Sequence, residues 1–193
     1  MSESKKLNKG LVILNGLLIV VFFAVNIRML IIPNIPSPYQ ISSLITVFAL
    51  AAAFNYFISK YDKSSAKYYK AFVALIMLSS FVSLVGVGTK SNNVIQLTIV
   101  ALQFSFTVIM FAGKDLGKKV SFAICFAFIA VCVFEIAYRM FFAQNVLFEE
   151  LALESSVNMV LMWGKLLSQL LSAVLLTVMT YGKYLDKEER GTN

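Results

Sequence analysis

The sequence predicts an all-α, integral membrane bundle of six transmembrane helices with both ends on the cytoplasmic side. Three observations carry that prediction. Of the 193 residues, 59% are hydrophobic and the mean hydropathy is +0.80, whereas soluble domains hold about 45–50% apolar residues. The apolar residues fall into six runs, each long enough to cross a hydrocarbon core of about 30 Å. The basic residues collect in alternate connections.

The runs are Leu11–Ile32, Ile41–Ser59, Ala71–Gly88, Val94–Ala112, Val120–Phe142 and Ser156–Tyr181. The first follows Lys5, Lys6 and Lys9 as a signal peptide would. It is longer than the 7–15 apolar residues of a signal core and no small-residue cleavage site follows, so it reads as a retained helix. Pro33, Pro36 and Pro38 break the chain before the second run. Lys60–Lys70 reads as a charged loop, Thr89–Asn93 as a short turn, Gly113–Lys119 as a glycine-containing basic loop and Gln144–Glu154 as an acidic connection. No internal repeat is evident, and the chain reads as a single membrane domain over residues 1–193 with short tails.

Charge sets the orientation. Thirteen of the 17 Lys and Arg residues lie in the N-terminal tail, the loops after helices 2 and 4, and the C-terminal tail. Only Arg28, Lys90 and Arg139 lie at the other side, and Lys165 lies within helix 6. The positive-inside rule then places both termini in the cytoplasm of a cell bounded by an inner membrane. The net charge of +7 is accounted for by lipid headgroups and orientation, and nucleic acid is not an expected partner. Tyr56, Phe57, Tyr61, Tyr68, Tyr69, Tyr181 and Tyr184 stand near the inner boundary, where aromatic residues serve as interface anchors.

Chemistry is sparse. The chain has no histidine, which removes the commonest metal ligand and general base. Cys125 and Cys132 are seven residues apart on one helix, about 10.5 Å of rise, too far for a disulfide. No nucleophile elbow, zinc-protease motif or phosphate loop is present. Ser79, Ser80 and Ser83 read as helix-contact residues. No catalytic residue, metal ligand or cofactor is expected.

Charges inside spans are costly there and are read as paired or functional. Glu135 lies about 12 Å and Lys165 about 14 Å from the outer ends of their helices, which predicts an ion pair between them. Arg139 is one turn from Glu135 and shares its carboxylate by an i,i+4 contact. Ser121, Cys125, Cys132, Glu135 and Arg139 make one stripe on helix 5. Asn158, Lys165, Gln169 and Ser172 make one on helix 6, beside the small-residue run Gly164, Ser168 and Ser172. Gln96, Gln103 and Thr107 make a third on helix 4, with Gln103 at the depth of Glu135. Asn26 and Arg28 stand near the outer end of helix 1. Glu135, Lys165, Arg139, Gln103, Gln169, Asn158, Asn26 and Arg28 are therefore the candidates for a ligand or ion pathway. Three readings stand open: a buried network that fixes helix register, a polar cavity open to the outside that binds a small polar solute, and a proton or ion path through Glu135 and Lys165. The function expected is solute binding or transport. The alternative is a non-catalytic regulatory or scaffold subunit acting through a partner membrane protein or a second copy of itself.

In size, helix number and outward placement of its polar residues, the plan resembles the membrane-embedded substrate-binding subunits of energy-coupling-factor vitamin transporters. That resemblance implies a six-helix binding subunit with its ligand near the outer face. The family's Ala-x-x-x-Ala pattern of the first helix is absent here, where the chain reads Leu17-Leu18-Ile19-Val20-Val21-Phe22-Phe23-Ala24. Ala49 and Ala53 stand at that spacing in the second helix instead. No residue role is carried over.

Overall fold

A computed structural model describes residues 38–58, 65–90, 93–113, 116–141 and 155–191. They form five helices: α1 (Pro38–Ile58), α2 (Ser65–Lys90), α3 (Val94–Ala112), α4 (Lys118–Phe141) and α5 (Ser155–Gly191). All five are long and apolar enough to cross a membrane. Leu11–Ile32, with Asn26 and Arg28, lies outside the described residues.

Successive helices pack against one another, and α5 returns to touch α1 and α2. The core runs through Ala49, Ala53 and Tyr56 of α1, Phe72 and Ile76 of α2, Met110 of α3, Cys125 and Phe128 of α4, and Leu176 and Met179 of α5. Ala49 and Ala53 are thus buried inside the bundle. The outward faces are as apolar as the core: Leu78, Phe81, Val85, Phe126, Phe134, Leu167 and Leu171 are all exposed. Helices that are hydrophobic all round belong in a core or in lipid, and backbone hydrogen bonds satisfied within each helix permit the latter.

The helices exceed the apolar runs at several ends. Pro38 opens α1, a first-turn position where proline's missing N–H is not needed. The supposed loop Lys60–Lys70 is helical from Ser65, so Lys67 and Lys70 ride on the first turns of α2. α5 continues ten residues beyond Tyr181 to Gly191, through Lys-Glu-Glu-Arg. Hydropathy marks where a helix leaves the hydrocarbon, and strong helix formers carry it on into water. Asn93 ends the α2–α3 turn as an N-cap, its side-chain oxygen accepting from Ile95 N (3.1 Å) and Gln96 N (3.2 Å), which satisfies donors the helix cannot use itself.

α1 and α2 are joined by hydroxyls. Ser42 Oγ lies 3.0 Å from Ser79 Oγ and 2.7 Å from Ser83 Oγ, and Thr46 Oγ1 lies 2.8 Å from Ser79 Oγ. Ser79 Oγ also donates to the Ser42 carbonyl at 3.0 Å. Small side chains on both helices allow this close approach. At the top of the same seam a Cβ on Gly86 would come within 2.7 Å of Pro38 Cβ.

A second tie sits at the other end. Tyr56 and Tyr69, expected at the lipid interface, are 4% and 8% exposed. Tyr56 donates to the Met179 carbonyl (3.2 Å), Tyr69 Oη lies 3.2 Å from Thr180 Oγ1, and Ser121 Oγ lies 2.8 Å from Tyr184 Oη. Tyr184 also donates to the Leu116 carbonyl. These tyrosines join helices because their hydroxyls find partners on α5, which sequence position alone does not reveal. Tyr181 remains exposed, as an anchor would be.

The seam makes a prediction. Gly86→Ala should lower thermal stability in detergent by about 1–3 kcal/mol through overpacking. Gly88→Ala, whose Cβ would meet only Leu97 Cδ1 at 3.9 Å, should stay within about 0.5 kcal/mol of the parent. Melting curves of the two variants check the order, and equal stability would sink this account of the seam.

Candidate functional site

α4 buries Ser121, Cys125, Phe128, Cys132 and Glu135 on one stripe, as the spacing of three, four and seven requires of a helix. The lower part of the stripe is used up in the tie just described, with Cys125 Sγ 3.7 Å from Thr180 Oγ1. The upper part carries the charge. Glu135 is 3% exposed, 17 residues from the start of α4 and six from its end. It therefore lies in the third of the helix farthest from the exposed lysines Lys67, Lys70, Lys119 and Lys183.

Both carboxylate oxygens are occupied. Arg139 donates to Oε1 from Nε (3.1 Å) and Nη2 (3.0 Å). Gln103 of α3 donates to Oε2 from Nε2 at 2.7 Å. The i,i+4 contact and the common depth of Gln103 and Glu135 follow the sequence pattern. A charge taken from water keeps most of its stability when it is paired and hydrogen-bonded at once, and three donors on two oxygens meet that condition. Thr107, one turn below Gln103, turns its hydroxyl to the Phe104 carbonyl at 2.8 Å.

Gln103 is 1% exposed, and only one end of its amide is used. Nε2 faces Glu135, with Cys132 Sγ 3.8 Å away. An ionised carboxylate accepts and does not donate, so it selects the N–H end of the amide. Oε1 is then turned away and buried, and among the described residues it has no hydrogen-bond partner. Gln169 of α5 also holds a buried Oε1 that has no partner among the described residues.

The α4–α5 register fixes the relative depths. Ser121 meets Tyr184 and Cys125 meets Thr180, so four residues forward on α4 correspond to four back on α5. Continued, this puts Glu135 level with Leu170, Gln169 level with Ile136, and Lys165 level with Met140. Lys165 thus stands about 7.5 Å nearer the end of the bundle than Glu135, at the margin of the apolar span Leu166–Tyr184. Equal depth was expected because both positions were measured from helix ends. α5 starts well beyond the end of α4, so those ends are not level. The side chains of Lys165 and Asn158 lie outside the described residues.

The other stripe members divide. Ser172 is buried and donates to the Ser168 carbonyl at 2.7 Å. Gly164 is exposed, and among the described residues a Cβ there meets nothing within 4 Å. Gln96 is half-buried. Sequence reasoning missed the clasp above the cluster, where Asn93 Nδ2 donates to Tyr138 Oη at 2.8 Å. Asn93 directly before an apolar run was its available signal, since asparagine there marks a helix start. It also missed Ser42 and Thr46, whose spacing of four matches that of Ser79 and Ser83.

Among the described residues no group of three His, Cys, Asp or Glu is placed to hold a metal ion. No family model, curated protein or solved structure matches the chain.

The cluster predicts a coupling. Glu135→Leu strands a guanidinium and should cost about 3–5 kcal/mol. Adding Arg139→Leu should recover most of that loss. A double-mutant cycle by thermal unfolding reads the coupling, and simple additivity would rule out the pair.

Proposed function

We propose that this multi-pass membrane protein binds a small polar solute in the part of the bundle farthest from its basic end, as a binding or transport subunit. The observation that carries the reading is the Gln103 carbonyl oxygen, buried and, among the described residues, without a partner beside the Glu135–Arg139 pair. A network whose one purpose was to fix helix register has no use for such a group. An unsatisfied buried acceptor costs about 1–3 kcal/mol, a cost that a bound solute removes.

The orientation proposed with it has the basic helix ends in the cytoplasm of a cell bounded by an inner membrane, and the Glu135 level toward the outside. With Leu11–Ile32 as a sixth span, both termini are cytoplasmic. The charge asymmetry supports this, because Lys- and Arg-rich connections stay on the cytoplasmic side. The solute then enters from outside and reaches Gln103 past Arg139.

Two measurements test the reading. Cys125 and Cys132 are buried, so a single added cysteine can be labelled selectively. Ser4→Cys and Thr192→Cys should react with an impermeant maleimide only after the cells are opened, and Lys90→Cys should react in intact cells. The opposite pattern would reverse the topology. A thermal-shift screen of the purified protein against polar metabolites should find a solute whose stabilisation grows as RT ln(1 + [L]/Kd). If no solute stabilises the protein and a stoichiometric membrane protein co-purifies with it, the scaffold reading replaces this one.

A further inference from the structure

Resting on that reading, we propose that the bundle works as two halves, α1–α3 and α4–α5, and that the tyrosine seam at the basic end is a dissociable gate between them.

The division follows the packing. α1 packs most extensively against α2, α2 against α3, and α4 against α5, while α3 with α4, and α5 with α1 and α2, pack less extensively. The polar and aromatic contacts sort the same way. The Ser42–Ser79 and Ser42–Ser83 contacts lie inside the first half, where Phe81 also meets Phe104 at 5.7 Å between ring centroids. The Ser121–Tyr184 and Cys125–Thr180 contacts lie inside the second, where Phe122 meets Tyr181 at 6.2 Å.

The contacts that cross between the halves stand at opposite ends, on opposite flanks. At the far end, on the α3–α4 flank, they are Gln103–Glu135 and Asn93–Tyr138. At the basic end, on the α5 flank, Tyr56 donates to the Met179 carbonyl and Tyr69 Oη meets Thr180 Oγ1. Lys183 adds to this seam, its Nζ 5.3 Å from the Tyr69 ring centroid, inside the about 6 Å over which an aromatic face attracts a cation. Between the two ends lies the shared apolar core of Ala49, Phe72, Phe128 and Leu176, and apolar contacts have no direction with which to hold an angle.

Two bodies tied in this way can rotate about their interface. Their two ends differ in strength. Parting the basic end breaks neutral hydrogen bonds of 3.2 Å. Parting the far end breaks a charge-assisted bond of 2.7 Å to Glu135, of a kind roughly twice as strong. The far end is therefore the pivot and the basic end the side that opens. The solute proposed at Gln103 then sits at the pivot, and its way out runs through the seam.

Cys125 can report the opening. It is fully buried, and its Sγ lies 3.7 Å from the same Thr180 Oγ1 that meets Tyr69. The experiment uses the full chain with Cys132→Ser, in nanodiscs and without added solute. A charged methanethiosulfonate stays in water and reacts only with a hydrated thiol, and mass spectrometry follows its rate at Cys125. Tyr56→Phe combined with Tyr69→Phe keeps both rings and removes both hydroxyls. It should raise the rate about tenfold or more, the shift in an opening equilibrium expected when a buried hydrogen bond is lost. Lys183→Met should act in the same direction. Ser79→Ala loosens the α1–α2 seam inside one half and should leave the rate within about twofold of the parent. Equal acceleration by Ser79→Ala means general loosening and overturns the gate. Unchanged reactivity in the folded double variant overturns it as well, and if that variant does not fold, Lys183→Met, at an exposed side chain, decides the same comparison. Because no solute is present, a failed gate leaves solute binding standing, and a failed solute screen does not alter the labelling result.

Discussion

Everything in this bundle depends on one constraint: hydrocarbon offers no partner to a polar atom, so each buried polar group must find one inside the protein. Glu135 answers it most expensively. A bare carboxylate could not be held at that depth, and the bundle surrounds it with a guanidinium from its own helix and an amide from the next one. Arg139 is set by helix geometry alone. Gln103 is not, because its approach requires α3 and α4 to hold one depth and one rotation. The Gln103–Glu135 hydrogen bond thereby fixes the relation of two helices, and the Asn93–Tyr138 clasp fixes it again nearer the end.

The same constraint accounts for the two hydroxyl ties. Ser42, Thr46, Ser79 and Ser83 bond chiefly to one another, which permits α1 and α2 to touch closely without a hydrophobic force between them. At the basic end, the tyrosine hydroxyls bind α5 to α1, α2 and α4. Between the ties the helices meet through alanine, phenylalanine, cysteine and leucine. Contacts of this kind are non-directional, so the register is set by the polar pairs at each end.

How much of this was legible in the sequence follows from what a sequence encodes locally. The helical character of the last five apolar runs and the buried stripe of α4 were legible, because period and length are local properties. The Arg139–Glu135 contact was legible for the same reason. The Glu135–Gln103 bond was half legible: depth could be counted, but rotation about α3 could not. The depth of Lys165 was counted from the end of α5, whereas the α4–α5 register counts it from the Ser121–Tyr184 and Cys125–Thr180 contacts, and helix ends in water need not be level. Tyr56 and Tyr69 were misread because an aromatic residue near a boundary has two outlets, lipid interface or neighbouring helix. Only the positions of Met179 and Thr180 decide between them.

The choice of glutamine at position 103 is the most telling detail. If Glu135 needed only a donor for Oε2, serine or threonine would serve, and their hydroxyls would leave no fixed acceptor stranded. Glutamine gains a hydrogen bond to a charged group, worth about 1.5–3 kcal/mol, and loses about 1–3 kcal/mol on its unpaired carbonyl. Those terms nearly cancel. A donor bound at Oε1 would remove the second term. The polar groups at the basic end are paired by neighbouring helices, while the far end keeps an acceptor in hand, and that asymmetry is where binding can be distinguished from scaffolding.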